Sequence, residues 1–402
     1  MIERDTVLRL HDLAFRDGDD SDDVVLGRAV LGEFVELPRV GADAVRLLGD
    51  GLPVAEVETR IAREQDVELD VAELAEALVD LGFVAAVDGE ALPDPADERP
   101  GSHLPWLRAE HVRWLFGRTA TVVWFAVVAA ALVTLWRDPG LVPTASDFYW
   151  TPYVGLAVLV GTAMFSANLS IHELMHLAAA RSYGAPARIG FSTRLHYLVV
   201  QTDVTAVWAV ARKHRYRVYL AGLRWDGFMV CLCTLLRAYA GLPALANGLL
   251  GALALAVLMS MIVQLQVYIR NDLYYVLMEW LRARNLYQDG LAYVRYLWRR
   301  RRGPDPLADL PARERRCVRL YAVAMAVGCT VALSSFALFG LPILVQGIAG
   351  AFAGLDDGPV RALDSALVIL VEGGLQVVFL VTFFRVHRHW FRWRRTPRPA
   401  RP

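Results

Sequence analysis

The stretch from Ser170 to Arg181, SIHELMHLAAAR, closes an apolar run that begins near Tyr153. It places two imidazoles and a carboxylate where apolar side chains are the rule, and such groups inside a membrane span are costly and usually functional. His172 and His176 stand at i and i+4, one above the other on a helix face. That spacing lets both rings hold one zinc ion while Glu173, one position on, reaches an activated water. Zinc lowers the pKa of its water to about 7, and Glu173 is of the right type to take the remaining proton as general base. The chemistry expected is peptide-bond hydrolysis. Against it stands the plainer reading of two chance histidines in a buried helix, which the surrounding apolarity disfavours.

A catalytic zinc takes three protein ligands and keeps a fourth position open. The third ligand must therefore be a carboxylate or histidine at matching depth. Asp272, in VYIRNDLYYVLMEW, is the first choice. With the N-terminus inside, the second and fourth apolar runs cross in the same sense, and both bring their polar ends to the cytoplasmic side. The structural alternative is that Asp272 merely caps the helix starting at Leu273, where Asp is a favoured residue. Asp226 competes as third ligand, and His196 trails it. Asn168, one turn before His172, either holds an outer partner that orients an imidazole or is a neutral polar contact between helices.

The elements that must position these groups follow from composition and pattern. Of 402 residues 55% are hydrophobic, which suits an integral membrane protein. The net charge of zero conceals a division: residues 1–100 hold 26 Asp/Glu against 9 Arg, a net of −17, so the remainder carries +17. That asymmetry argues for an acidic soluble unit and a basic membrane unit. Apolar runs recur at 119–136, 153–180, 218–238, 243–268, 319–341 and 361–384, each long enough for a hydrocarbon core that needs about 20 helical residues. Residues 340–353 are too short for a further span and are read as a candidate re-entrant segment. Cationic stretches before the first run, after the fourth and after the last alternate with the acidic loops DPGLVPTASDFYW and AGLDDGPV. The positive-inside rule then puts both termini in the cytoplasm with six crossings. Trp106, Trp114, Trp136, Trp150 and Trp390 suit interfacial anchoring, and the arginine runs near 298–302 and 391–395 suit contact with anionic lipid. Asp364 and Glu372 lie eight residues apart in the sixth run, on a similar face, and are read first as structural hydrogen-bonding groups.

In the N-terminal part, VVLGRAVLGEFVEL (24–37) reads as two short strands around Gly32. GADAVRLLGDG, PVAEVETRIAREQ and DVAELAEALVDLG read as helices, with Val54, Val57 and Ile61 on one face and Leu74, Leu78 and Leu81 on another. FVAAV closes the unit as a strand. The expected organisation is a winged-helix-like α+β cytoplasmic domain over 1–88, a linker over 89–105, and a polytopic α-helical membrane domain over 106–402. No cationic n-region with an apolar core marks a signal peptide at the start. Cys231, Cys233, Cys317 and Cys329 have no metal-type spacing and read as free thiols.

Three blocks, HELMHLAAARSYG, TDVTAVWAVARKHRYRVYLAG and RNDLYYVLMEWLRARNL, resemble the site-2 protease family of intramembrane zinc metalloproteases over about 150–290, in the family's order. The nearest likeness is to the bacterial peptide zinc metalloproteases. The resemblance implies one catalytic zinc, His172, His176 and Asp272 as its ligands, and Glu173 as catalytic base. The family's Asp-Gly motif appears here as Asp272-Leu273-Tyr274-Tyr275. Its Ala-Gly-Pro-x-x-Asn stretch, which helps seat substrate, appears as AGLRWD, with Leu223 for Pro and Asp226 for Asn. That implies substrate binding at Asp226, with Asn168 beside it, or an Asp226–Arg224 pair of structural meaning. The N-terminal segment LPRVGADAVRLLGDGLPVAEVETRIARE resembles PqqD-like peptide-recognition modules, which capture a leader peptide as an added strand at a sheet edge. The candidate edge lies in Gly27–Leu37. A nucleic-acid partner is excluded for so acidic a unit, since phosphates demand Lys and Arg.

The leading expectation is an intramembrane zinc endopeptidase of a bacterial-type cell membrane, acting on a membrane-associated or leader-bearing peptide in ribosomal peptide maturation. Its partners would be that peptide, membrane lipids, and a peptide-modifying enzyme or exporter. The alternatives are a non-proteolytic membrane partner of such a system, or a regulatory protease acting on a membrane-anchored signalling protein.

Overall fold

A computed structural model describes residues 2–18, 22–97, 101–283 and 285–388. The chain forms two compact units, one of Met1–Phe116 with Leu177–Arg188 and Thr202–Val218, the other of Gly117–His176, Ile189–Gln201 and Tyr219–Pro402. The grouping differs from a division at residues 88 and 105. Residues 89–116 stay with the first unit because they are tied to it: the Arg28 guanidinium donates to both Asp94 oxygens at 2.7 and 2.6 Å, and Ser102 Oγ donates to the Ala187 carbonyl at 2.8 Å. The same guanidinium holds the Asp94 carboxyl well below the usual carboxylate range.

The first unit carries two three-stranded antiparallel sheets. Strands β1 (Leu8–Leu10), β5 (Val84–Val87) and β6 (Glu90–Ala91) form one in the order β1-β5-β6, and β2 (Ala14–Asp17), β3 (Val24–Arg28) and β4 (Glu33–Leu37) form the other in sequence order. Gly32, with φ +64°, makes the turn into β4, a left-handed conformation that costs glycine little. β3 is flanked on both sides, so within the expected Gly27–Leu37 edge only β4 is an outer strand. Helices α1 (Arg39–Gly49), α2 (Val54–Gln65) and α3 (Val71–Asp80) pack their apolar faces on this framework. Val54, Val57 and Ile61 are fully buried as their spacing predicts, whereas the α3 face centres on Val71, Ala75 and Leu78, with Leu74 and Leu81 flanking it half-buried. Asp70 caps α3 by accepting from the Glu73 amide at 2.9 Å. A short helix, α4 (Ala109–Val112), follows.

The second unit is built on long apolar helices. Its helices are α5 (Arg118–Arg137), α6 (Val154–Arg181), whose last residues enter the first unit, α8 (Ala221–Tyr239), α9 (Ala244–Val263), α10 (Asp272–Leu281), α11 (Leu286–Trp298), α12 (Ala312–Ser335), α13 (Leu341–Ala353) and α14 (Pro359–Val386), while the short basic α7 (Arg212–Tyr219) belongs to the first unit up to Val218. Among the described residues five helices are long and apolar enough to cross a membrane, and six if α7 and α8, bent by 44°, count as one span. Residues 340–353 do not turn back. A π-helical turn at Phe336–Gly340 joins α12 to α13 in one helix of 45 residues, Ala312–Asp356. At 1.5 Å per residue that is about 67 Å, more than twice a hydrocarbon core of about 30 Å.

Specific polar ties join elements of this unit. Trp124 Nε1 donates to the Arg224 carbonyl at 2.8 Å, and Arg237 donates to Asp147 at 2.9 Å in a largely buried pair. Asp364 accepts from the Leu156 amide at 3.0 Å, satisfying one of the orphan donors in the first turn of α6. This is a hydrogen bond of the structural kind read first from the sequence. Glu372 is half-buried in α14. Trp106, Trp114 and Trp136 are exposed, Trp150 is half-buried, and Trp390 with the arginine run 391–395 lies outside the described residues. All four cysteines are free thiols. Between α6 and α7 runs a two-stranded hairpin, β7 (Arg188–Arg194) and β8 (Tyr197–Asp203).

Candidate metal centre

The HELMH segment is helical throughout, within the 28 residues of α6. His172, Glu173 and His176 are 3%, 5% and 4% exposed, so the three polar side chains of the motif are withdrawn from solvent while Leu174 is exposed. The helix puts His172 Nε2 and His176 Nε2 3.2 Å apart. Asp272 completes the group: its Oδ2 lies 3.1 Å from His172 Nε2 and 3.2 Å from His176 Nε2. Among the described residues these three form the cluster with metal-binding geometry.

The donor set tests whether a metal fits. Tetrahedral zinc with bonds of 2.0–2.1 Å requires ligand atoms about 3.3 Å apart, and the three edges here are 3.1, 3.2 and 3.2 Å. Two imidazole nitrogens and one carboxylate oxygen are also a donor set that suits zinc. His172, His176 and Asp272 therefore fit a single divalent ion. Asp272 opens α10 directly after the turn that follows α9, and two residues that sequence reasoning did not single out hold it there. Gln264 clamps it reciprocally, accepting from the Asp272 amide at 3.1 Å and donating to Asp272 Oδ2 at 3.1 Å. Asn271 donates to the carbonyls of Val263, Gln264 and Gln266 and accepts from the Tyr274 amide. It thus closes the end of α9 and caps α10, satisfying groups that both termini leave orphaned. Asn271, not Asp272, is the cap of α10, so the structural alternative for Asp272 falls away. The cap-type residue immediately before Asp272 was the one available signal.

Comparison with protein-family models, curated proteins and solved structures returned no match. The site must be read from its own geometry.

Asp226 and Asn168 lie beside the cluster rather than in it. Asp226 Oδ2 is 2.8 Å from His172 Nδ1, on the ring edge away from Asp272, and Asn168 Nδ2 donates to Asp226 Oδ1 at 2.9 Å. Asp226 is 2% exposed with each oxygen engaged inside the protein, an arrangement that suits neither third ligand nor substrate seat. Arg224 reaches Thr121 at 3.3 Å and sits over the Trp124 ring. His196 stacks on Phe336, with ring centroids 4.4 Å apart, and stands outside the ligand group. Burial lowers its pKa.

Gly222 was also invisible to sequence reasoning. A Cβ built there would lie 2.3 Å from His172 Nε2 and 2.5 Å from two ring carbons. Gly222→Ala gains about 1 kcal/mol of helix propensity, but overpacking costs about 1–3 kcal/mol and the displaced atom is a donor of the cluster. The expected result is a folded protein whose zinc affinity is at least about 10-fold weaker. Chelator competition on the purified variant measures it.

Proposed function

We propose that this protein is an intramembrane zinc endopeptidase. The observation that carries the reading is the convergence of two HELMH imidazoles and the Asp272 carboxylate at tetrahedral edge lengths, with Glu173 buried on the same helix as the histidines. His172, His176 and Asp272 hold the zinc, and Glu173 is the general base. When bound, zinc supplies Lewis acidity that polarises a carbonyl and acidifies water. Glu173 takes a proton from the attacking water as its oxygen bonds to the scissile carbonyl carbon. It then delivers that proton to the leaving nitrogen as the C–N bond breaks. Burial of His172, Glu173 and His176 keeps bulk water from competing.

A substrate helix hides its carbonyls in hydrogen bonds and must unwind before cleavage. The β7–β8 hairpin has outer strands that can take an extended segment by strand addition. The acidic N-terminal unit, PqqD-like in its helical segments, recruits a leader-bearing peptide along β4, as in ribosomal peptide maturation. The chain lies in a bacterial-type cell membrane with both termini cytoplasmic, which the alternation of loop charge supports. A peptide-modifying enzyme or exporter is the partner class that fits.

The deciding experiment uses the purified full chain. One zinc per chain is expected by elemental analysis, with cleavage of a co-expressed candidate precursor peptide lost on chelation and restored by zinc. Stoichiometric zinc with no cleavage of any precursor encoded nearby would point to the non-proteolytic membrane partner instead.

A further inference from the structure

Asp226 and Asn168 are two buried polar residues that the hydrolytic steps do not use. Their hydrogen bonds run in one direction. The Trp225 indole has a donor and no acceptor, and its Nε1 lies 2.9 Å from Asn168 Oδ1. That fixes the orientation of the Asn168 amide: its oxygen accepts, so its nitrogen donates. Asn168 Nδ2 then donates to Asp226 Oδ1 at 2.9 Å. The remaining oxygen, Oδ2, faces His172 Nδ1 at 2.8 Å, and an ionised carboxylate can only accept. His172 must therefore carry its proton on Nδ1. In a neutral ring this leaves the lone pair on Nε2, the atom that faces His176 and Asp272.

We propose that Asp226 is a positioning residue that holds His172 in its Nδ1–H tautomer, aiming Nε2 at the metal position, with Asn168 and Trp225 as its brace. The proposal rests on the metal reading of the site. Its physical content is twofold. Nδ1 is committed to Asp226 before any ion arrives, so no ring flip opposes binding. The carboxylate also raises the basicity of the imidazole across the ring, as outer carboxylates do for ligating histidines. The brace is local by construction. Asn168 lies one helical turn before His172 on α6 and Trp225 directly precedes Asp226 on α8, so two adjacent pairs lock the two helices in register.

Two readouts test this on the full-length protein in detergent. The first is the ring ¹⁵N shifts of His172 in metal-free protein, assigned by loss of the signal in His172→Gln. Recorded at a pH where the ring is neutral, wild type is expected to give a single Nδ1–H tautomer, and Asp226→Asn and Asp226→Ala a mixture. The second is zinc affinity by chelator competition, expected to fall about 10–100-fold in both variants, and by less in Trp225→Phe. Asp226→Asn, nearly isosteric, serves if the alanine variant does not fold. Unchanged shifts and affinity in a folded Asp226 variant overturn the proposal, as does an Nε2–H tautomer in wild type. Loss of zinc as complete as in His176→Ala also overturns it, by making Asp226 a ligand. Wild type that binds zinc but cleaves nothing overturns the protease reading and leaves this one standing. If no zinc is taken up, the tautomer alone decides.

Discussion

Glu173→Gln is expected to keep its zinc and to lose about 10²–10⁴-fold in the rate of peptide hydrolysis. The substitution is nearly isosteric and, in replacing the carboxylate by a neutral amide, removes the ability to accept a proton. Glu173 is 5% exposed and lies on the same helix as both histidines, so a change in its charge leaves the ligand atoms where they are. The informative comparison is therefore within one variant: metal content against cleavage of the precursor peptide. Retained zinc with lost cleavage is the signature of a general base. Undiminished cleavage would sink the assignment of Glu173 and, with it, the hydrolytic reading. Loss of both would show that Glu173 supports the fold of the site rather than its chemistry.

Asp272→Ala should lose zinc more severely than any outer residue, beyond the about 100-fold that removal of an orienting partner produces. The reason is the position of its Oδ2, which forms two of the three edges of the donor triangle. Truncation leaves two imidazoles, too few for a catalytic site. The turn around residue 272 should survive, because Asn271 binds three carbonyls of the α9 terminus independently of the carboxylate. Elemental analysis of Asp272→Ala, run beside Asp226→Ala, makes the contrast: near-complete loss in the first and weakened binding in the second. Equal zinc content in Asp272→Ala and wild type would remove Asp272 from the ligand set.

Much of this site was legible before any fold was known, because helix geometry is local. An i, i+4 pair meets on one face whatever surrounds it, so the meeting of His172 with His176 followed from spacing alone. The proximity of Asp272, 96 residues from His176 in the chain, came from arguing which ends of the apolar runs share a side. The role of Asp226 did not. Its residue type is compatible with ligand, substrate seat or ion-pair partner. Only the packing of α8 on α6 puts it at the Nδ1 edge of His172. Gly222 and Gln264 carry no chemical signal in the sequence, since their importance is a distance to another helix or turn.

The same contrast runs through the fold. Hydropathy over some twenty residues fixes where apolar helices lie, because burial of an unpaired backbone in hydrocarbon forbids alternatives. Periodicity likewise set α1, α2 and α3. Strands β1 and β2, three and four residues long, were missed because their alternation is too short to register. They exist through pairing with distant partners, as Leu8 does with Val87. Residues 340–353, read as a candidate re-entrant segment, instead continue the helix of the fifth run. A π-turn ends just before Pro342 and shifts the hydrogen-bond register where its ring would otherwise meet a carbonyl. The sequence by itself thus determined the helical spans and the residues able to bind a metal, since both depend on local composition and spacing. Tertiary structure alone decided that Asp226, the competing carboxylate, stands beside the triangle at the Nδ1 edge of His172, because that depends on how helices far apart in the chain approach one another.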